Sequence, residues 1–168
     1  MFGEKNMAME KEMISNILGI RPVDTALEIM CDEGNRICSL AKEVKTVETD
    51  PKKAYVEYEN VNGDNSRRHF VFCGNPVIFL KKMIAEKARV DLVEVNTDRL
   101  ADPLAIWKLI GILAPPVVIF GYRDKEKGAY HRDLMKNSGF KIINQEVELN
   151  EDISEKFCVG RSNKFHSN

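Results

Sequence analysis

Acidic, amide and aromatic side chains recur at places where strands would end and helices begin. The run Thr25 to Asn35 carries an apolar strand into an acidic turn, with Glu28, Met30, Cys31, Asp32 and Gly34 along it, and Glu48 follows about twenty residues later. In a strand-helix-strand unit the strand ends and helix N-termini converge, so this spacing sets the turn and the second carboxylate around one ligand. Gly74-Asn75 adds an amide acceptor after a third apolar run, although Asn before Pro76 also fits a helix N-cap, and one residue can do both. Asn96 and Asp98 end a fourth run, where a carboxylate suits acid-base work. Tyr122 and Arg123 end a fifth, a ring and a guanidinium suited to an aromatic or anionic substrate.

The elements that position these groups are legible from period and punctuation. Met13, Ile14, Ile17 and Leu18 share one face of a helix over residues 10–18, and strand one follows as Ala26 to Met30. Ile37, Cys38, Leu40 and Ala41 continue as a helix, then Val44 to Thr49 forms a second strand. Asp50-Pro51, Asn75-Pro76 and Asp102-Pro103 each open a helix, because proline at the first helical position lacks only an N–H that has no partner there. His69 to Cys73, Asp91 to Val95 and Val117 to Phe120 are the intervening strands, the last an unbroken apolar run suited to burial on both faces. Lys125 to Ser138 is helical and stops at Gly139. Phe140 to Leu149 and Glu155 to Arg161 form a hairpin around Asn150-Glu151-Asp152. This alternation predicts an α/β chain, one mostly parallel seven-stranded sheet between two helical layers with an antiparallel hairpin at its end. It is one domain over 1–168, with its core at 10–162 and loose ends at 1–7 and 163–168.

Composition removes several function classes. With 25 basic and 26 acidic residues the net charge is -1, so no global field recruits DNA or an anionic membrane. The stretch Leu104 to Phe120 is broken by Lys108 and Pro115-Pro116, which argues against a membrane span and for a cytoplasmic chain. The four cysteines form no C-x-x-C pair, and His69 and His131 stand without partners at ligand spacing, so no metal site is expected. A G-x-G-x-x-G fingerprint would need glycines at Met30, Asp32 and Asn35, which excludes the dinucleotide pattern of dehydrogenases.

The order of elements resembles class I S-adenosylmethionine-dependent methyltransferases over roughly residues 10 to 162. In that family strand one ends in E-x-G-x-G-x-G; here Glu28 and Gly34 match, while Met30 and Asp32 replace the first two glycines. Glu48 falls on the family's ribose-binding acid, and Asn75 on the residue that reads the adenine amino group. The resemblance implies a Rossmann-like fold and S-adenosylmethionine as cofactor, held by Glu28, Met30, Cys31, Asp32, Gly34, Glu48, Gly74 and Asn75. The methyl acceptor would be a small molecule, protein or RNA, and a homodimer stays open. Where members that methylate base amines carry [D/N]-P-P-[Y/F/W], Asn96 fits and Thr97, Asp98 and Arg99 do not, so a nucleobase amine is disfavoured. The replaced glycines leave a second reading, a catalytically inactive methyltransferase-like module for ligand sensing or protein interaction.

Overall fold

The computed structural model describes residues 23–31, 41–61, 68–148 and 156–164. Seven strands, β1 (Val23–Ile29), β2 (Ala41–Glu48), β3 (Arg68–Cys73), β4 (Leu92–Asn96), β5 (Val117–Tyr122), β6 (Phe140–Glu148) and β7 (Lys156–Ser162), make one sheet. Its order is β3-β2-β1-β4-β5-β7-β6, with β1 to β5 parallel and β7 antiparallel to both β5 and β6. The described helices are α1 (Pro51–Val61), α2 (Pro76–Ala85), α3 (Pro103–Leu113) and α4 (Lys125–Asn137), with a 3-10 turn at Thr97–Arg99. This is the expected architecture, antiparallel hairpin included. The helix expected at 10–18, most of the one begun at Ile37, the turn at Asp32 to Gly34 and the hairpin turn at Asn150 lie outside the described residues.

All three Asp/Asn-Pro starts cap as their chemistry requires. Asn75 Oδ1 accepts from the amide of Val77 at 2.8 Å, Asp102 Oδ1 from Ala105 at 3.2 Å, and Asp50 Oδ1 from Lys52 at 2.9 Å. Asp124 does the same for α4, accepting from Glu126 at 2.8 Å and Lys127 at 3.2 Å. Gly139, with φ +99, supplies the left-handed residue that turns the chain from α4 into β6.

Alternation along the strands divides the core. Leu27, Ile29, Val47, Val93, Val95, Val118, Phe120 and Tyr122 pack with Leu80 and Met83 of α2, Ile106, Trp107 and Ile110 of α3, and Leu134 and Met135 of α4. A smaller cluster of Ala26, Val44, Leu92, Val117, Ile119, Phe157 and Val159 lies within the rest of the sheet. Each such side chain contributes about 1.5–3 kcal/mol when wholly buried. Gly128 is required by this packing: a Cβ there would lie 2.5 to 2.8 Å from three carbons of the Tyr122 ring, so only glycine lets α4 rest on β5. Ala41 opens β2 instead of extending a helix, because its pairing with Val23 of β1 overrides the weak strand preference of Ala-Lys-Glu. Among the described residues no helix is long and apolar enough to cross a membrane.

Candidate functional site

β1 runs out at Met30, the position of the missing first glycine, and the backbone there adopts φ 61. That left-handed conformation costs an ordinary residue about 1–2 kcal/mol and glycine little. The turn has therefore kept the glycine geometry with a methionine in it. The side chain is 4% exposed and packs in the main core. The Met30 amide donates to Val47 O at 2.9 Å, tying the turn to β2. Cys31 is buried beside it, its thiol 3.7 Å from Ile29 O and 3.8 Å from Glu94 O.

Glu48 ends β2 with 1% exposure, its carboxylate gripped by Arg99 from the turn after β4. Arg99 Nη1 donates to Oε1 and Nη2 to Oε2, the latter at 2.8 Å, a two-bonded fork. Nη1 also reaches Met30 O at 3.3 Å, and the Asp50 amide donates to Glu48 Oε2 at 2.9 Å. In the order β2-β1-β4 this pair crosses the C-terminal end of β1. Gly74 extends the same row, its amide donating to Glu48 O at 2.9 Å, and a Cβ on it would meet nothing within 4 Å. Asn75 follows, exposed, its Oδ1 engaged by the cap of α2.

The other candidates divide by accessibility. Asn96 Oδ1 accepts from the Asp98 amide at 3.2 Å and holds the 3-10 turn, leaving the Asp98 carboxylate exposed. Thr97 is buried, its hydroxyl donating to Gly121 O at 2.9 Å, which fixes that turn to β5. Tyr122 does not face a substrate. At 1% exposure it shares the core face of β5 with Val118 and Phe120, and its hydroxyl accepts from Arg132 Nη1 at 3.3 Å. Arg123 is exposed one residue later. His131 is a buried neutral imidazole: the Trp107 indole N–H, which can only donate, reaches its Nδ1 at 3.0 Å. Burial lowers its pKa from the ordinary 6.5, with Lys127 acting in the same direction and Asp98 opposing.

Glu28 is wholly buried and its carboxylate lies in the sheet face rather than at the strand-end row. Thr46, opposite it on β2, donates to Glu28 Oε2 at 3.1 Å and also lies 2.8 Å from His69 Nε2 on β3. Glu57 of α1 joins them, one ligand-capable atom each of Glu28, Glu57 and His69 falling within 4.8 Å of one another. Arg99, Glu57 and His69 are the residues sequence reasoning left without a role. Arg99 stands where the base-amine motif fails, and the other two are brought together only by pairing of distant elements. Asp32 and Gly34 lie outside the described residues.

No protein-family model matches the sequence, and no curated protein sequence matches it. Solved structures do match in fold. The N-methyltransferase NodS from Bradyrhizobium japonicum in complex with S-adenosyl-L-homocysteine superposes with TM-score 0.67 at 12% identity, covering 97% of this chain and 88% of that one. The O-methyltransferase from Bacillus cereus, also in complex with S-adenosylhomocysteine, gives 0.66 at 16% identity over 92% and 81%. The precorrin 8w decarboxylase of Methanobacterium thermoautotrophicum gives 0.69 at 14% identity over 92% and 89%. The chain has the Rossmann-like fold of class I methyltransferases.

Proposed function

We propose that this chain binds S-adenosylmethionine across the C-terminal ends of β1, β2 and β3 and transfers its methyl group to an acceptor. The observation that carries the reading is the left-handed Met30, which keeps glycine's backbone geometry at the end of β1, where the resembled family carries the first glycine of its cofactor turn. Solved proteins of the same fold hold S-adenosylhomocysteine, which supports the same ligand class here. The described residues fit it: Glu48 would accept the ribose hydroxyls, Asn75 the adenine amine, and the bare Gly74 leaves room between them. Met30 and Cys31, at the end of β1, would lie beside the methionine moiety.

One contact opposes entry. Both oxygens of Glu48 accept from Arg99, so ribose must take a position the guanidinium now fills. The bound cofactor supplies an electrophilic methyl group. The chain's part is then to orient the acceptor and remove its proton, for which the exposed Asp98 is placed by Asn96 at the end of β4. Arg123, exposed after β5, would bind an anionic or planar acceptor. The acceptor is a small molecule, a protein or an RNA.

Ligand at a hundred times its dissociation constant stabilises a folded protein by about 2.7 kcal/mol, and for a domain of this size that raises Tm by about 5–11 °C. The test is a melting shift with S-adenosylmethionine and S-adenosylhomocysteine, repeated on Glu48→Ala. A shift abolished by that substitution supports the site. A flat response at millimolar ligand favours the second reading, a non-catalytic module, for which the locked Glu48–Arg99 pair is the specific observation.

A further inference from the structure

Glu28, Glu57 and His69 come from β1, α1 and β3, far apart in sequence, yet each places a ligand-capable atom within 4.8 Å of the other two. We infer that they form a binding site for one divalent transition-metal ion that staples α1 to the sheet, independent of any cofactor at the strand ends.

The donor set is the first argument. Two carboxylates and one imidazole are the ligand types that zinc and its first-row neighbours take, and none of the three is drawn from a surface row of acids. Glu28 is 0% exposed and Glu57 7%, with His69 half-buried at the sheet edge. Zinc bonds of about 2.0–2.2 Å place tetrahedral ligand atoms roughly 3.4 Å apart, so the observed separations need only small side-chain rotations to close on an ion. Placement is the second argument. The three residues sit on β1, α1 and β3, so an ion held by all of them would tie α1 to the sheet.

The surroundings orient the set. Thr46 Oγ1 donates its one hydrogen to Glu28 Oε2 at 3.1 Å, so toward His69 Nε2, 2.8 Å away, that hydroxyl oxygen is the acceptor. With Nε2 directed at that hydroxyl, Nδ1 is the ring nitrogen left to ligate a metal. A hydroxyl that holds one ligand carboxylate and orients the ring is the kind of outer partner that tunes metal sites.

The experiment uses the full chain, stripped with a chelator and titrated with zinc and separately with manganese, following metal content after dialysis and the melting temperature. The expected result is one zinc per chain with a raised Tm. Glu57→Gln and His69→Gln should each abolish stoichiometric retention, Thr46→Val should weaken it by about 10- to 100-fold, and Cys73→Ser, at an exposed thiol, should leave it unchanged. Retention of neither metal by the folded wild-type chain overturns the site. So does zinc binding that survives both Glu57→Gln and His69→Gln in chains that melt cooperatively. Because no cofactor is added, failure here leaves the methyltransferase reading standing, and the reverse also holds.

Discussion

Replacing Arg99 by methionine should make the protein less stable and, at the same time, a better binder of S-adenosylhomocysteine. Glu48 is 1% exposed and the Arg99 side chain 19%, so the pair sits largely out of water. Removing one partner of a buried pair leaves the other charge uncompensated, at a cost of about 3–5 kcal/mol. For a chain of 168 residues that lowers Tm by about 6–20 °C. Replacing Glu48 by leucine as well removes the stranded charge, and the double variant should recover part of the loss, since apolar pairs often replace buried ion pairs at little cost. The affinity change has the opposite sign. Freeing both Glu48 oxygens for ribose hydroxyls, worth about 1.5–3 kcal/mol as charge-assisted hydrogen bonds, should tighten binding at least tenfold (about 1.4 kcal/mol). Urea denaturation and calorimetric titration of the wild type, Arg99→Met and Arg99→Met/Glu48→Leu measure both quantities. A stability loss below about 1 kcal/mol would place the pair with exposed surface bridges. Weaker binding in Arg99→Met would show that the guanidinium holds the ligand instead of excluding it.

Three other outcomes follow from the geometry. At Met30, glycine should give a more stable protein than alanine by about 0.5–1 kcal/mol, the reverse of the usual order, because both lose the buried side chain and only glycine relieves φ 61; chemical denaturation of the two variants decides it. Gly128→Ala should destabilise the fold by about 1–3 kcal/mol through the clash with Tyr122, and Gly128→Ala/Tyr122→Leu should recover most of it in the same assay. His131 should make stability fall with acid. Its folded pKa lies below 6.5, so the unfolded chain binds the extra proton first, and stability drops as pH falls from 6.5 towards the folded value. In His131→Phe, urea midpoints measured through that window should lose this slope, and an unchanged slope would refute the assignment.

The helix starts were legible because their chemistry is local. An Asp or Asn oxygen two or three residues from the amide it caps, with proline between, leaves the chain few alternatives, and the alternating Val118, Phe120 and Tyr122 mark one buried face of β5 in the same way. Reading Tyr122 as a substrate contact set it at the strand end past Phe120, when the strand runs on through it and its side chain is buried with Phe120 in the core. Ala41 failed for a different reason: its place is set by a partner eighteen residues back, and no local preference of Ala-Lys-Glu reveals that pairing. The site divides along the same line. The row of strand-end residues could be read from topology, because parallel strands end together. Arg99's hold on Glu48 spans 51 positions, and the Glu28, Glu57 and His69 cluster spans three elements, so both depend on register that only the folded sheet supplies.

The position of the Arg99–Glu48 pair bears on catalysis as well as on binding. In the order β2-β1-β4 the chain reverses direction of winding beside β1, and ligands of open α/β sheets lie at such a crevice. The fork from Arg99 to Glu48 crosses that end of β1 and touches the Met30 carbonyl on the way. A ligand seated there has to displace the guanidinium, and Arg99 is the last residue of the 3-10 turn that carries Asp98. That turn is short, anchored by the Thr97 hydroxyl to Gly121 O and by the Asp98 amide to Asn96 Oδ1, so Arg99 and Asp98 share one small unit. On the proposed function, cofactor entry and placement of the candidate base would be coupled through that unit. The methionine in the glycine position belongs to this arrangement too, because its side chain is buried in the core while its carbonyl accepts from the arginine. An eroded glycine motif and a blocked acid, read separately, look like two losses; joined through Arg99, they make one hydrogen-bonded contact that a ligand at this crevice would have to open.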